Sequence, residues 1–147
     1  ILVSSCLLDC KVRFDETSKP LQREHLRALE KKFNIVGFAQ KFWAAFLVPV
    51  RRLKFQEIVN LNEGRTSFFN FFLKGAHEAL NICKNYGIQL AVLKSKSPSC
   101  GFGKIYDGTF SGCLINGNGI TSDLLIKNGV KVINESELGA WLKTIKE

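Results

Sequence analysis

The chain has 147 residues, 46% of them apolar and 23% charged, with a formal net charge of +8. That balance fits one globular domain with its own core and excludes disordered and fibrous classes. No apolar run approaches the ~20 residues that cross a bilayer, which excludes a membrane partner of that kind.

The opening ILVSSCLL, residues 1–8, is apolar but short, with neither a basic leader nor a small-residue cleavage site. It reads as a buried strand over residues 1–5 rather than a signal peptide. Residues 6–19 form a loop rich in functional side chains. Residues 20–33 read as a helix, with Leu21, Leu26, Leu29 and Phe33 near helical spacing. A second strand follows over residues 34–38. From about Gly37 to Asn70 the sequence has no clean periodicity. Residues 71–86 give the clearest helix, with Phe72, Ala76, Ala79, Leu80 and Cys83 on one face and Gly87 as its stop.

IQLAVL at residues 88–93 is a buried strand, and KSKSPSCGFGKIYDGTFSG after it is a long polar loop. Thr121 or Ser122 is the expected cap of a short helix through Lys127, with Gly129 as its stop. Residues 130–133 are a last strand. Residues 136–146 are a terminal helix that turns Leu138, Trp141, Leu142 and Ile145 inward. The alternation predicts an α/β fold: one domain over residues 1–147, a mostly parallel, Rossmann-like sheet with helices on both faces. Ligand sites in such sheets lie beyond the carboxyl ends of the strands. Cys6 and Cys100 each follow a predicted strand, so the topology directs both to that edge.

Five cysteines, Cys6, Cys10, Cys83, Cys100 and Cys113, are an odd set without a secretion signal. They argue for free thiols in a reducing, cytoplasmic setting. As thiolates, Cys6 and Cys100 would be available to a metal in loops with free backbone N–H groups; two buried core thiols are the competing reading. No CxxC pair supports structural zinc. In SPSCG, residues 97–101, Ser97 and Ser99 set hydroxyls beside the Cys100 thiol. His25 and His77 fall in predicted helices, away from the cysteine loops. The GxG at Gly101 and Gly103 lacks the strand–GxGxxG–helix setting of a dinucleotide site. Arg13, Asp15 and Lys19 can orient a polar ligand or serve as surface charge. The net charge is either a basic solvated surface or a face for an anion such as RNA or a nucleotide.

Together ILVSSCLL, RFD, FLKGAHEAL, SPSCG, YDGTFSG and GNGITSDLLIKNGVKV resemble the thiouracil desulfidase (TudS) family over most of the chain, and SPSCG followed by YDGTFSG is quite specific. The resemblance implies a [4Fe-4S] cluster held by three cysteines, with an open iron that takes sulfur from 2-thiouracil to give uracil and sulfide. It makes Cys6 and Cys100 two of the ligands and gives Ser97 a catalytic role in proton transfer or substrate orientation. The third ligand and an acid/base glutamate belong to a Cys-Pro-Glu segment after the second strand. Here those positions hold Ala39, Gln40 and Lys41.

A shifted reading frame explains the departure. Permitted codons for residues 37–46 include GGG TTT GCC CAG AAG TTT TGG GCG GCT TTC. Read from the last base of the glycine codon, they spell Val-Cys-Pro-Glu-Val-Leu-Gly-Gly-Phe, and residues 47–55 permit the family's continuation. On this reading residues 38–70 are an out-of-frame segment, and the frame is restored before residue 71. The segment's Lys41, Arg51, Arg52 and Lys54 then contribute part of the positive charge. The alternative is a diverged relative without a cluster, in which Cys10 substitutes as a ligand.

These readings set three functions against one another. The first is a cluster-dependent desulfidase for small thiolated pyrimidines, impaired by the missing motif. The second is a cluster-free nucleobase-binding protein. The third is a basic RNA-binding module, with thiolated tRNA as its partner.

Overall fold

The computed structural model describes residues 1–10, 19–39, 64–97, 99–106 and 112–145, with the backbone alone over 64–71. Strands β1 (Leu2–Ser4), β2 (Val36–Phe38), β3 (Leu90–Leu93) and β6 (Lys131–Asn134) form one parallel sheet in the order β2-β1-β3-β6. Helix α1 (Arg23–Lys32) links β1 to β2, and α2 (Gly64–Tyr86) precedes β3. Helix α3 (Ile120–Lys127) leads to β6, and α4 (Glu135–Thr144) follows it. A separate antiparallel hairpin pairs β4 (Lys104–Tyr106) with β5 (Leu114–Asn116).

The period-two alternation of a strand sorts the core into two layers. Leu2, Ala91, Leu93 and Val132 pack with Ala79, Leu80 and Cys83 of α2 and Leu125 of α3. Val3, Val92 and Ile133 pack with Leu29 of α1 and Leu138 and Leu142 of α4. Both faces of a parallel sheet must be covered, so the short strands read as continuous apolar runs rather than alternating ones. This is the expected α/β domain with helices on both faces.

Several boundaries differ from the expectation, each for a local reason. Helix α1 begins at Arg23 because Leu21 is still tied to the loop before it, its N–H donating to Leu7 O at 2.9 Å. Helix α2 starts at Gly64, inside the segment whose periodicity is unreadable. Its stop is as expected, with Gly87 in the left-handed region at φ +62°. The long loop after β3 contains the β4–β5 hairpin, and its Leu114 and Ile115 are 40% and 49% exposed. A strand pair that buries so little gives no burial pattern to detect.

Neither Thr121 nor Ser122 caps α3. The N-cap is Gly119, and both hydroxyl residues sit wholly buried inside the first turn. Among the described residues, Thr121 Oγ1 is buried without a hydrogen-bond partner. An orphaned hydroxyl carries its full desolvation cost. Thr121→Val is therefore expected to raise the unfolding free energy by about 1 kcal/mol, read from urea denaturation. A loss of stability would mean that the hydroxyl has a hidden partner, such as a trapped water.

Among the described residues, no helix is long and apolar enough to cross a membrane.

Candidate functional site

The chain leaves β1 toward β2 on one side of the sheet, and later crosses back to place β3 on the other side of β1. The strand order thus reverses between β1 and β3, and ligand sites of such sheets lie beyond the carboxyl ends at that reversal. The loops that leave these two strands carry Cys6 and Cys100.

After β1 the chain winds into a single 3₁₀ turn over Ser5–Leu8, which ends at Asp9 in the left-handed region. This turn buries Cys6. Ser4 Oγ lies 3.2 Å from Cys6 Sγ, and Lys19 N–H donates to Cys6 O at 2.9 Å. The Lys19 side chain itself is exposed.

After β3 the loop folds on itself. Gly101 N–H donates to Ser97 O at 2.6 Å, and Ser97 Oγ lies 2.8 Å from Ser99 Oγ. The Cys100 thiol donates to Lys94 O at 3.8 Å. Burial pushes this thiol up from its ordinary pKa; hydrogen bonds from Ser97 and Ser99 act against the rise, and the neighbouring Cys6 thiol adds to it. Cys6 and Cys100 thus sit in loops that leave neighbouring strands at one edge of the sheet, with Ser97 and Ser99 in the Cys100 loop.

Two further elements hold the Cys100 loop. The first turn of α3 grips its backbone: Ser122 Oγ donates to Cys100 O at 2.7 Å, Thr121 N–H to Ser99 O at 2.9 Å, and Gly119 N–H to Gly101 O at 2.7 Å. From the other side, the Glu135 carboxylate accepts from Ser95 N–H and Ser95 Oγ, both at 2.7 Å, and pairs with the Lys94 ammonium. Burial alone would raise the Glu135 carboxyl, but these donors outweigh it and hold it below the usual carboxylate value. Lys96 takes a left-handed conformation at φ +63°, which costs a side-chain-bearing residue about 1–2 kcal/mol. A charge-assisted hydrogen bond contributes about 1.5–3 kcal/mol, so the Glu135 contacts are sufficient to hold the strained turn. None of these supports was legible beforehand, because they join residues far apart in sequence. The one local signal was the glycine before α3.

The other candidates lie elsewhere. Cys10 is exposed, with its thiol against Leu8 O at 4.0 Å. Cys113 is exposed, and Cys83 is buried in the α2 layer of the core. His25 lies against Gly139 of α4, where an added Cβ would come 3.1 Å from Nε2; His77 is exposed. Neither is placed as a base for Cys6 or Cys100. Gly101 and Gly103 lead into β4 rather than a helix, so they form no phosphate cradle. Arg13, Asp15, Gln40, Lys41, Pro98 and residues 107–111 lie outside the described residues.

A three-thiolate cluster requires a third donor, and the resemblance puts it at position 39. The register Ser4↔Phe38 places Ala39 beside the start of the turn that carries Cys6. The contact is close: a Cβ on Gly37 would come 3.1 Å from Ser5 Oγ and 3.2 Å from Leu8 Cδ1. At this position the chain offers a methyl group. Among the described residues, no group of three or more His, Cys, Asp or Glu could hold a metal ion. Two thiols without a third do not fit a three-cysteine cluster.

The family model for 2-thiouracil desulfurase matches residues 1–137. The chain belongs to that family. Its relatives include the uncharacterized protein YbbK of Bacillus subtilis (strain 168), 31% identical over 148 residues, which cover 94% of this chain and 97% of YbbK. Among solved structures it is similar to a [4Fe-4S]-dependent thiouracil desulfidase, TudS, with a TM-score of 0.77 and 32% identity over 99% of this chain and 98% of that one. The TudS-family resemblance and the α/β fold thus hold across almost the whole chain, and they support a desulfidase-like function.

Proposed function

We propose that the site beyond β1 and β3 is that of a desulfidase for thiolated pyrimidines of the 2-thiouracil class, and that this chain carries it in incomplete form. The reading is supported by Cys6 and Cys100 leaving adjacent strands at the strand-order reversal, with β2 bringing Ala39, the position the resemblance gives to the third thiol, beside the turn of Cys6. In this reading Cys6 and Cys100 are cluster ligands, and Ser97 orients the substrate or passes a proton from its hydroxyl. The missing donor at Ala39 and the lysine at position 41 leave the chain without a stable cluster and without its acid/base group. No reaction step is therefore assigned to it. Residues 38–70 are the out-of-frame segment, and the in-frame protein supplies Cys-Pro-Glu there. Unpaired cysteines throughout favour the cytoplasm. A small nucleobase fits the family better than thiolated tRNA.

Tandem peptide sequencing across residues 37–70, with iron and sulfide analysis after anaerobic reconstitution, tests this. Phe-Ala-Gln-Lys is expected together with no retained iron above a Cys6→Ser control. Stoichiometric iron on a chain with that peptide would refute the incomplete site, and would turn attention to Cys10 as a substitute ligand.

A further inference from the structure

Glu135 has no part in the proposed chemistry, yet it reaches the cysteine loop. It follows β6, as Lys94 follows β3, and the register Leu93↔Asn134 makes the two residues neighbours at the carboxyl edge of the sheet. Helix α4 does not need Glu135 as a cap. Asn134 accepts from Ser136 N–H and Glu137 N–H, and Glu137 reaches back to Asn134 N–H, which completes a capping box. The Glu135 carboxylate instead turns to β3, where it takes both donors of Ser95 and the Lys94 ammonium. With three donors on two oxygens, it is committed as an acceptor rather than free as a base or ligand.

The residues it holds lie directly behind the thiol. Lys94 O accepts the Cys100 thiol hydrogen. Lys96 O accepts from Tyr106 N–H at 3.0 Å, which ties the left-handed turn to the hairpin. Releasing Glu135 would free residues 94–96 to relax, and with them the surface on which Cys100 rests.

We infer that Glu135 is a positioning residue for Cys100, acting through Ser95 and the Lys94 backbone to keep the thiol seated against Lys94 O. The inference rests on the proposed function only for what Cys100 does, not for how it is held.

Iodoacetamide labelling of the full chain without added iron, followed by peptide mass spectrometry, tests it directly. Cys83, buried in the core between the sheet and α2, reports global opening in the same molecule. Glu135→Ala is expected to speed labelling of Cys100 about tenfold, in line with the loss of charge-assisted hydrogen bonds, with Cys83 unchanged. Glu135→Gln retains an acceptor oxygen and is expected to fall between; it carries the test if the alanine variant does not fold. Equal acceleration at both cysteines would reduce Glu135 to a general stabilising residue, and an unchanged Cys100 would overturn the inference. Iron and sulfide assays take no part in this measurement, so its failure is distinct from failure of the desulfidase reading.

Discussion

A chain in which residues 38–70 are replaced by their neighbouring-frame reading is expected to bind about four irons after anaerobic reconstitution, as a [4Fe-4S] cluster requires. It is also expected to release sulfide from 2-thiouracil, and the present chain is expected to do neither. The loops that carry Cys6 and Cys100 already leave adjacent strands, and β2 already delivers position 39 beside the turn of Cys6. The substitution exchanges a methyl group for a third thiolate and, two residues on, an ammonium for a carboxylate. The first change supplies the missing ligand. The second supplies a group able to exchange protons near neutral pH, where an ammonium holds its proton. Cys6→Ser in the restored chain is the control and is expected to abolish iron retention. A restored chain that binds no more iron than the present one would mean that the frame relation is coincidental.

The parallel sheet was legible because its strands are short apolar runs separated by helices of clear periodicity, as in IQLAVL and the face of Ala76, Ala79, Leu80 and Cys83. The pairing of Cys6 with Cys100 was legible for a topological reason: loops that leave neighbouring parallel strands share an edge. The supports of the site were not. Ser122 reaches Cys100 across 22 positions and Glu135 reaches Ser95 across 40, and neither residue type announces such a partner. Thr121 and Ser122 look like caps because hydroxyl residues near a helix start usually are caps. Here the close approach of two backbones required glycine at the cap and drew the hydroxyls inside. The hairpin escaped notice because it contributes exposed residues rather than a core face.

That close approach makes Gly119 the position where the smallest change should have the largest structural effect. Its backbone is ordinary, with φ −63° and ψ 156°, so alanine meets no dihedral penalty there. The obstacle is space: an added Cβ would lie 2.5 Å from Cys100 N, 2.6 Å from Ser99 C and 2.7 Å from Gly101 N. All three are backbone atoms, which cannot rotate aside as a side chain can. Either α3 or the Cys100 loop must move, and the bond from Gly119 N–H to Gly101 O goes with it. Gly119→Ala is expected to cost about 3 kcal/mol, or roughly 10 °C in Tm for a domain of this size, and to expose Cys100 to alkylation. Gly129→Ala is the matched control. Its φ of +81° strains any side chain, but nothing lies within 4 Å of the new Cβ. It is expected to cost about 1 kcal/mol and to leave Cys100 protected. If the two variants prove equally stable and equally protected, α3 does not press on the loop, and the Cys100 backbone is held from the Glu135 side alone.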